Sequence, residues 1–451
     1  MAANRCGNTL KPCSRPRPLL LRALSVFLAM YLLPCSLHAE TPAVEDTPEQ
    51  QAAKQEAVQR EVEASEDPMT ESEAASMEAP EDADVKKYDY DFYGNYRLRF
   101  RSTGGGDFAL TDGGSRMGLD GHYQLFPKLK VFGRAEFGLN LLDELDSLFG
   151  GNDNAPEGQE GARFFKRLLY AGVEIPGNFL TFGKNWSTYY KVAGFTDRFA
   201  GTGGEASGAY NAGTDGGATG TGRAQGVLQT RLHFGKLPEL IGIKPFNVNF
   251  QLQHGEPIPL VDGAHYGTAV GLSGVYQLKS SLALGLAYNV ASINDLDDPD
   301  IRKAGLDGDA QALLVGTRQF GEKWYLGTVV SRLQNQEATD AGNYFDGWGW
   351  EVYGQYQLRE KVWLTGGWNY LRPDSDPLSG DYEIKYAVIG LRYSHDGFQN
   401  MVYANFRFDE GRLSDGEELD NVFTIGVRWN LGEIAERVVD RYHLYQARRN
   451  R

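Results

Sequence analysis

From about residue 91 to residue 431 the chain alternates apolar and polar positions with a period of two. That is the spacing at which successive side chains of a β-strand point to opposite faces. In Arg223–Phe234, Ala224, Gly226, Leu228, Thr230, Leu232 and Phe234 share one face, and Arg223, Gln225, Gln229, Arg231 and His233 share the other. Phe246, Val248, Phe250 and Leu252 oppose Asn247, Asn249, Gln251 and Gln253 in the same way. Phe92, Gly94, Tyr96, Leu98 and Phe100 oppose Tyr93, Asn95, Arg97, Arg99 and Arg101. The pattern predicts 16 strands, at about 91–101, 115–124, 131–140, 163–175, 179–184, 223–234, 246–253, 266–278, 281–291, 308–319, 324–334, 346–358, 361–371, 382–395, 398–408 and 418–431. Most are long enough to cross a bilayer at a tilt, which takes about 9–11 residues.

The connections alternate between short and long. Short turns are expected at 126–127, 176–178, 279–280, 321–323, 359–360 and 396–397, with a longer one at 235–244. Long loops are expected at 102–114, 141–162, 185–222, 255–265, 292–307, 335–345, 372–381 and 409–417. Seven short and eight long connections are what an even-numbered up-and-down barrel needs. Phe92, Tyr123, Tyr276, Trp324, Trp348, Trp350, Tyr356 and Trp429 fall near strand ends, where aromatic girdles mark membrane interfaces. A propeller would repeat a signature every 40 residues or so. A sandwich would hide its apolar faces, yet here the second face of nearly every strand is polar. The fold class expected is all-β: a 16-stranded antiparallel transmembrane β-barrel, apolar face to lipid and polar face to a water-filled lumen. The 38-residue connection 185–222 is too long for an unstructured loop in a compact domain. It is expected to fold into the lumen and narrow it.

Composition changes this picture mainly at the ends. After residue 39 no 18-residue apolar run appears, which excludes a helical membrane protein. Residues 1–39 carry five basic residues, no acid, an apolar run from Ala23 to Leu37 and a Ser-Leu-His-Ala39 cleavage site, the makings of a signal peptide. Cys6, Cys13 and Cys35 all lie within it, so the mature chain has no disulfide, thiol catalyst or cysteine metal site. Residues 40–87 hold 15 acidic and 4 basic residues and read as an acidic periplasmic linker, part of it helical from Glu49 to Ala64. They supply −11 of the formal net charge of −15, so that charge says little about the barrel's ligand. After the barrel (88–431), Ile434, Val438, Val439 and Tyr442 form a helical stripe, giving an amphipathic extension at 432–451.

Arg116, Arg167 and Arg223 stand in the outer halves of lumen-facing strands, with Arg134 on the third strand beside them. The expectation is a basic wall facing an acidic loop that offers Asp197, Glu205 and Asp215, with Lys184 at its start. Arrays of charged side chains across a narrow gap set ion selectivity. The same arginines could instead serve as ion pairs holding the loop down. Lumen aromatics are few, chiefly Tyr93, Tyr353 and Trp363, which argues against a sugar pore. His122 and His233 face the lumen on separate strands with no serine at motif spacing, and no P-loop, HExxH or GxSxG motif follows the signal. No enzyme activity, cofactor, metal centre or nucleic-acid partner is expected.

At this point the chain resembles the general diffusion porins of Gram-negative bacteria. Ser115-Arg-Met-Gly-Leu-Asp-Gly121 is similar to that family's second strand. Arg167-Leu-Leu-Tyr-Ala-Gly-Val173, Leu180-Thr-Phe-Gly-Lys-Asn-Trp186 and Gly194-Phe-Thr-Asp197 are similar to its fourth and fifth strands and constriction loop, and Thr221-Gly-Arg223 to the start of its sixth. The resemblance implies a homotrimer of barrels in the outer membrane, passing ions and small hydrophilic solutes, among lipopolysaccharide and outer-membrane lipid. It puts Arg116, Arg167 and Arg223 on the family's basic cluster and Asp197 on its loop acid. One departure is the loop run Ala200-Gly-Thr-Gly-Gly-Glu205, where Gly201 replaces the first acid of the family's Pro-Glu-Phe-Gly-Gly-Asp. Fewer acids imply less cation preference. The alternatives are a pore selective for sugars or oxyanions, and a structural link between outer membrane and cell wall.

Overall fold

A computed structural model describes residues 87–106, 108–140, 164–234, 244, 246–374, 377–394 and 400–431. The signal at 1–39, the linker apart from Lys87, the loop at 141–162, the turns at 235–243 and 396–397 and the extension at 432–451 lie outside them. The strands are β1 (Tyr88–Thr103), β2 (Ala109–Asp112), β3 (Arg116–Phe126), β4 (Leu129–Leu139), β5 (Phe164–Ile175), β6 (Asn178–Trp186), β7 (Arg223–Phe234), β8 (Phe246–His254) and β9 (Tyr266–Lys279). They continue as β10 (Leu282–Ile293), β11 (Ala310–Gly321), β12 (Trp324–Ala338), β13 (Tyr344–Arg359), β14 (Val362–Pro373), β15 (Ile384–Ser394), β16 (Met401–Asp409) and β17 (Val422–Asn430).

Apart from β2 and β3, consecutive strands pair antiparallel, and β1 closes on β17 through pairs such as Tyr96↔Trp429 and Phe100↔Ile425. Closure removes the unpaired edges that an open sheet would expose. Both β2 and β3 pair along β1, so the seventeen segments make a closed barrel of sixteen staves. The break between them is local. Asp112 Oδ1 accepts the amides of Gly114 and Ser115 at 2.7 and 2.6 Å, and the Gly113 amide donates to the Arg97 carbonyl at 2.6 Å. This shortens the long loop expected at 102–114: Ser102 and Thr103 stay in the ladder with β17, and Ala109–Asp112 pair along β1.

The alternation seen in the sequence is the alternation of the two barrel faces. On β10, Ala283, Gly285, Ala287 and Asn289 are buried while Leu284, Leu286 and Tyr288 are exposed. Exposed leucines, valines and aromatics recur on successive staves, among them Leu119, Phe182, Leu228, Leu272, Leu313, Val330 and Leu391. An apolar band of this extent has no stable place in water, and a bilayer covers it. Phe92, Trp348, Trp350 and Trp429 are exposed on the same surface. Leu286, at 55 % exposure, sits within a stave rather than at its end. We expect Leu286→Arg to lower barrel stability by about 2–4 kcal/mol, the cost of a cation at the bilayer midplane. Urea unfolding in detergent-free bilayers measures it, and an unchanged midpoint would place Leu286 away from lipid.

The lumen is filled on one side by the segment between β6 and β7. It carries a short helix, α1 (Tyr190–Ala193), and a single 3-10 turn, Asn211–Gly213. Tyr189, Val192, Ala193, Phe195, Ala206 and Ala209 pack against Ala287, Ala312, Leu314, Val329, Leu333 and Phe345 of the wall. Small residues on the wall permit the contact. A Cβ on Gly349 would stand 1.8 Å from the Ala206 carbonyl oxygen, and one on Gly327 2.0 Å from that of Phe195. The lumen-side glycines therefore leave room for loop backbone against strand backbone.

Candidate functional site

The loop crosses the lumen and is bonded to staves far from its own. The Thr188 amide donates to Gln251 of β8 at 2.7 Å, and the Tyr325 hydroxyl of β12 donates to the Phe195 carbonyl at 2.7 Å. Glu351 of β13, fully buried, accepts the amides of Ala206 and Ser207 at 2.7 Å each and the Thr196 hydroxyl at 2.5 Å. Asn369 of β14 accepts the amides of Gly204 and Glu205, both at 3.1 Å. Asn405 of β16 donates to the Ala200 carbonyl, and Arg99 of β1 to that of Gly201 at 3.1 Å. On the return, Glu337 accepts the Ala212 amide at 2.8 Å and Asn289 donates to the Thr219 carbonyl at 2.7 Å. Buried loop amides and carbonyls need such partners. These anchors run from β8 round to β1, and the basic residues of β3, β4, β5 and β7 occupy the remaining wall.

On that wall the structure brings three of the four expected arginines into one cluster, joined by an acid absent from the expected set. Arg167 Nε donates to Glu136 Oε1 at 2.8 Å, and Arg116 lies 3.6 Å from the same oxygen. The Tyr93 hydroxyl donates to the second Glu136 oxygen at 2.9 Å. Lys184 Nζ and Arg223 Nε lie 2.7 and 3.5 Å from Asp215 Oδ2. Arg134 is separate: it forks onto Asp120 of the neighbouring stave, with Nη2 at 2.7 Å from Oδ2. Four cations, Arg116, Arg167, Lys184 and Arg223, therefore share two acids, Glu136 and Asp215. Burial works to raise the Asp215 carboxyl, but Arg223 and Lys184 beside it prevail and hold it below its ordinary range. It stays ionised through neutral pH.

The three loop acids part company. Asp215 alone meets the basic wall. Asp197 accepts the hydroxyls of Tyr190 and Tyr210 at 2.6 and 2.7 Å. Burial and that carboxylate push both tyrosine hydroxyls well above their ordinary range, so both remain donors. Glu205 lies 3.1 Å from Arg407, across the barrel on β16, and Arg407 also pairs with Asp409 at 2.5 Å. The expectation of one acidic loop face opposed to one basic wall is thus corrected: the loop's length lets its acids reach three different partners. Lys184 belongs to β6 and not to the loop, turned inward by the irregularity in pairing between Gly183 and Asn185. Gly201 lies against Tyr403 and Thr424, with Arg99 on its carbonyl, so an acid there would stand away from the basic cluster.

Beside Arg223, the end of β6 and the loop present rings. Trp186 stacks on Tyr190 at 3.9 Å between centroids, and Tyr210 meets Tyr190 edge-on at 6.3 Å. The Arg223 guanidinium lies 5.8 Å from the Trp186 ring. Sequence reading missed Glu136, Arg407, Glu351 and these aromatics as site residues. A lone inward acid among inward arginines was a usable signal for Glu136. Nothing in the strand pattern orients loop aromatics, which follow no period.

No protein-family model matches the chain. It is similar to outer membrane protein F of Serratia marcescens, 26 % identical over 240 residues, which cover 51 % of this chain and 55 % of that protein. The match thus spans about half the length of that relative. It is also similar to outer membrane protein S2 of Salmonella typhi, 27 % identical over 313 residues, covering 62 % of this chain and 74 % of the relative. Among solved structures, OmpF of Salmonella typhi, in complex with daunomycin, superposes with a TM-score of 0.60 at 20 % identity, over 76 % of this chain and 98 % of that one.

Proposed function

We propose that this chain, an outer-membrane β-barrel of the general porin family, forms a water-filled channel for passive diffusion of ions and small hydrophilic solutes, with a weak preference for anions. The observation that carries the preference is the gathering of Arg116, Arg167, Lys184 and Arg223 on one wall of the lumen, about Glu136 and Asp215. A permeating ion passes within a few Å of that wall, where nearby charge counts most. Physiological salt screens charges over about 8 Å, so the preference should be modest and should fade as salt rises. The proposal includes a homotrimer surrounded by lipopolysaccharide and outer-membrane lipid. It also includes the division into a cleaved signal (1–39), a periplasmic linker (40–87), the barrel (88–431) and an extension (432–451), and it assigns the chain no catalytic step.

Planar-bilayer recording in a potassium chloride gradient tests the reading. Stepwise conductance with a reversal potential on the chloride side, moving toward zero as both chambers are raised in salt, is the expected result. Absence of steps removes the channel, and strong cation selectivity removes the role given to the arginines.

A further inference from the structure

We propose that residues 432–451, the segment after the last stave, dock on the open edge of β1 at the seam where the barrel closes. The inference does not depend on the channel reading. β17 pairs with β1 only from Asn95↔Asn430 upward, and the Leu431 amide, donating to the Gly94 carbonyl at 2.7 Å, is the last rung. On its other side β1 stays paired with β3 down to Tyr88↔Tyr123. The stretch Tyr88–Tyr93 therefore has a ladder on one side alone among the described residues. The Lys87 carbonyl accepts the Gln124 amide of β3, so by alternation the backbone groups of Tyr88, Tyr90 and Phe92 face the gap. The Tyr90 amide donates to the Asp89 carboxylate at 3.0 Å, which brings an acid to the gap. The rings of Tyr88, Tyr90 and Phe92 share the outward face and are exposed, Tyr90 at 72 %. An unpaired edge with a row of bare rings is a template for another segment.

Lipid does not account for the whole row. On β13 the aromatics that end the apolar face, Trp348 and Tyr356, stand eight residues apart. At the seam the outer aromatics are Phe108 and Phe423, level with Ser102, and eight residues down β1 from Ser102 is Gly94. Tyr90 and Tyr88 lie four and six residues beyond Gly94, about 13 and 20 Å further along the strand. The chain's own continuation fits them. It starts at the gap, and Leu431 already covers Gly94 on the outward face, where a Cβ on Gly94 would stand 3.4 Å from Leu431 Cδ1. A continued ladder does not fit, because its register would set Glu433, Ala435 and Arg437 beside the rings and turn Ile434 to the lumen. A helix does. Ile434, Val438 and Tyr442 recur every four residues and cover about 12 Å, against about 13 Å for the row from Phe92 to Tyr88. Arg437 and Arg441 flank that stripe, and Asp89 and Asp91 are exposed along the edge to meet them. A helix laid over an edge also keeps it from pairing with another molecule.

The test is cysteine pairing in the protein as it sits in outer-membrane vesicles. The sequence after Cys35 holds no cysteine, so introduced pairs have no background. Tyr90→Cys with Val438→Cys, treated with a short bis-maleimide and run after heating, should link within one chain. Tyr88→Cys with Tyr442→Cys, set by the same alignment, should link as well. Leu272→Cys with Val438→Cys should not, since Leu272 is exposed on β9, about half-way round the barrel. Folding of each variant is checked by migration as an unheated band. Adding Ile434→Asp and Tyr442→Asp to the first pair should cut its yield about tenfold, because the apolar stripe holds the contact. A yield unmoved by the two aspartates reports random collision of a tether and overturns the proposal. So does a yield no higher than that of the Leu272 pair, which leaves the rings to lipid. A link only between chains also overturns it and seats the segment on a second copy. A stronger link of Tyr90→Cys to Ala57→Cys than to Val438→Cys overturns it in favour of the acidic linker.

Discussion

Glu351→Ala should release the constriction loop and widen the pore. The Glu351 carboxylate is fully buried and holds three donors, two backbone amides and one hydroxyl, spread over loop residues 196–207. Alanine leaves Ala206 and Ser207 amides without that partner inside the packed wall. A buried donor stripped of its acceptor costs about 1–3 kcal/mol, so losing the acceptor of both amides should weaken local anchoring by about 2–6 kcal/mol. The barrel ladder does not depend on it, because Glu351 pairs through its backbone with Val329 and Asn369. Single-channel conductance should rise, and protease should cut the loop while the barrel stays whole. Glu351→Gln keeps one acceptor oxygen for the two amides and should fall between. The anchor is refuted if Glu351→Ala conducts like the unaltered protein and its loop resists cleavage.

Arg167→Glu should abolish or reverse the ion preference. The substitution lowers the cluster's charge by two, and Glu136 loses its nearest cation. At about 4 Å and an effective dielectric near 20, one charge pair is worth about 4 kcal/mol before screening. Even if screening leaves a third of that, about 1.4 kcal/mol is a tenfold change in the anion-to-cation ratio. The reversal potential in a salt gradient should move to the cation side. An unmoved value would mean that ions pass elsewhere than beside β5. The opposite substitution at Asp215 is a poorer probe, since it would also cut the loop from Lys184 and Arg223.

The fold was legible because a barrel writes its two faces into every stave. Leu284, Leu286 and Tyr288 point one way and Ala283, Gly285 and Ala287 the other whatever the rest of the chain does. The staves from residue 266 to residue 430 fall within a few residues of their expected ends. The main architectural miss, at 102–114, arose because polar and small residues in a hairpin read as loop, while cross-strand pairing of Leu98–Arg101 with Ala109–Asp112 carries them as ladder.

The site was legible only as a list. Period-two spacing put Arg116, Arg134, Arg167 and Arg223 on the inner face, and the structure keeps them there. Which acid each meets depends on stagger between staves and on where a 36-residue excursion from Ser187 to Gly222 comes to rest. Cross-strand register places Arg134 opposite Asp120, and the inward side chain of Glu136 reaches Arg116 and Arg167 on the two flanking staves. Long-range loop packing sends Glu205 to Arg407 and folds Asp197 under two tyrosines. Local alternation decides which way a side chain points, so the sequence alone determined the barrel, its lipid face and its basic lumen. Contacts between residues distant in the chain have no period to betray them, so only the tertiary structure decided the charge balance, the anchors and the aromatic wall of the constriction.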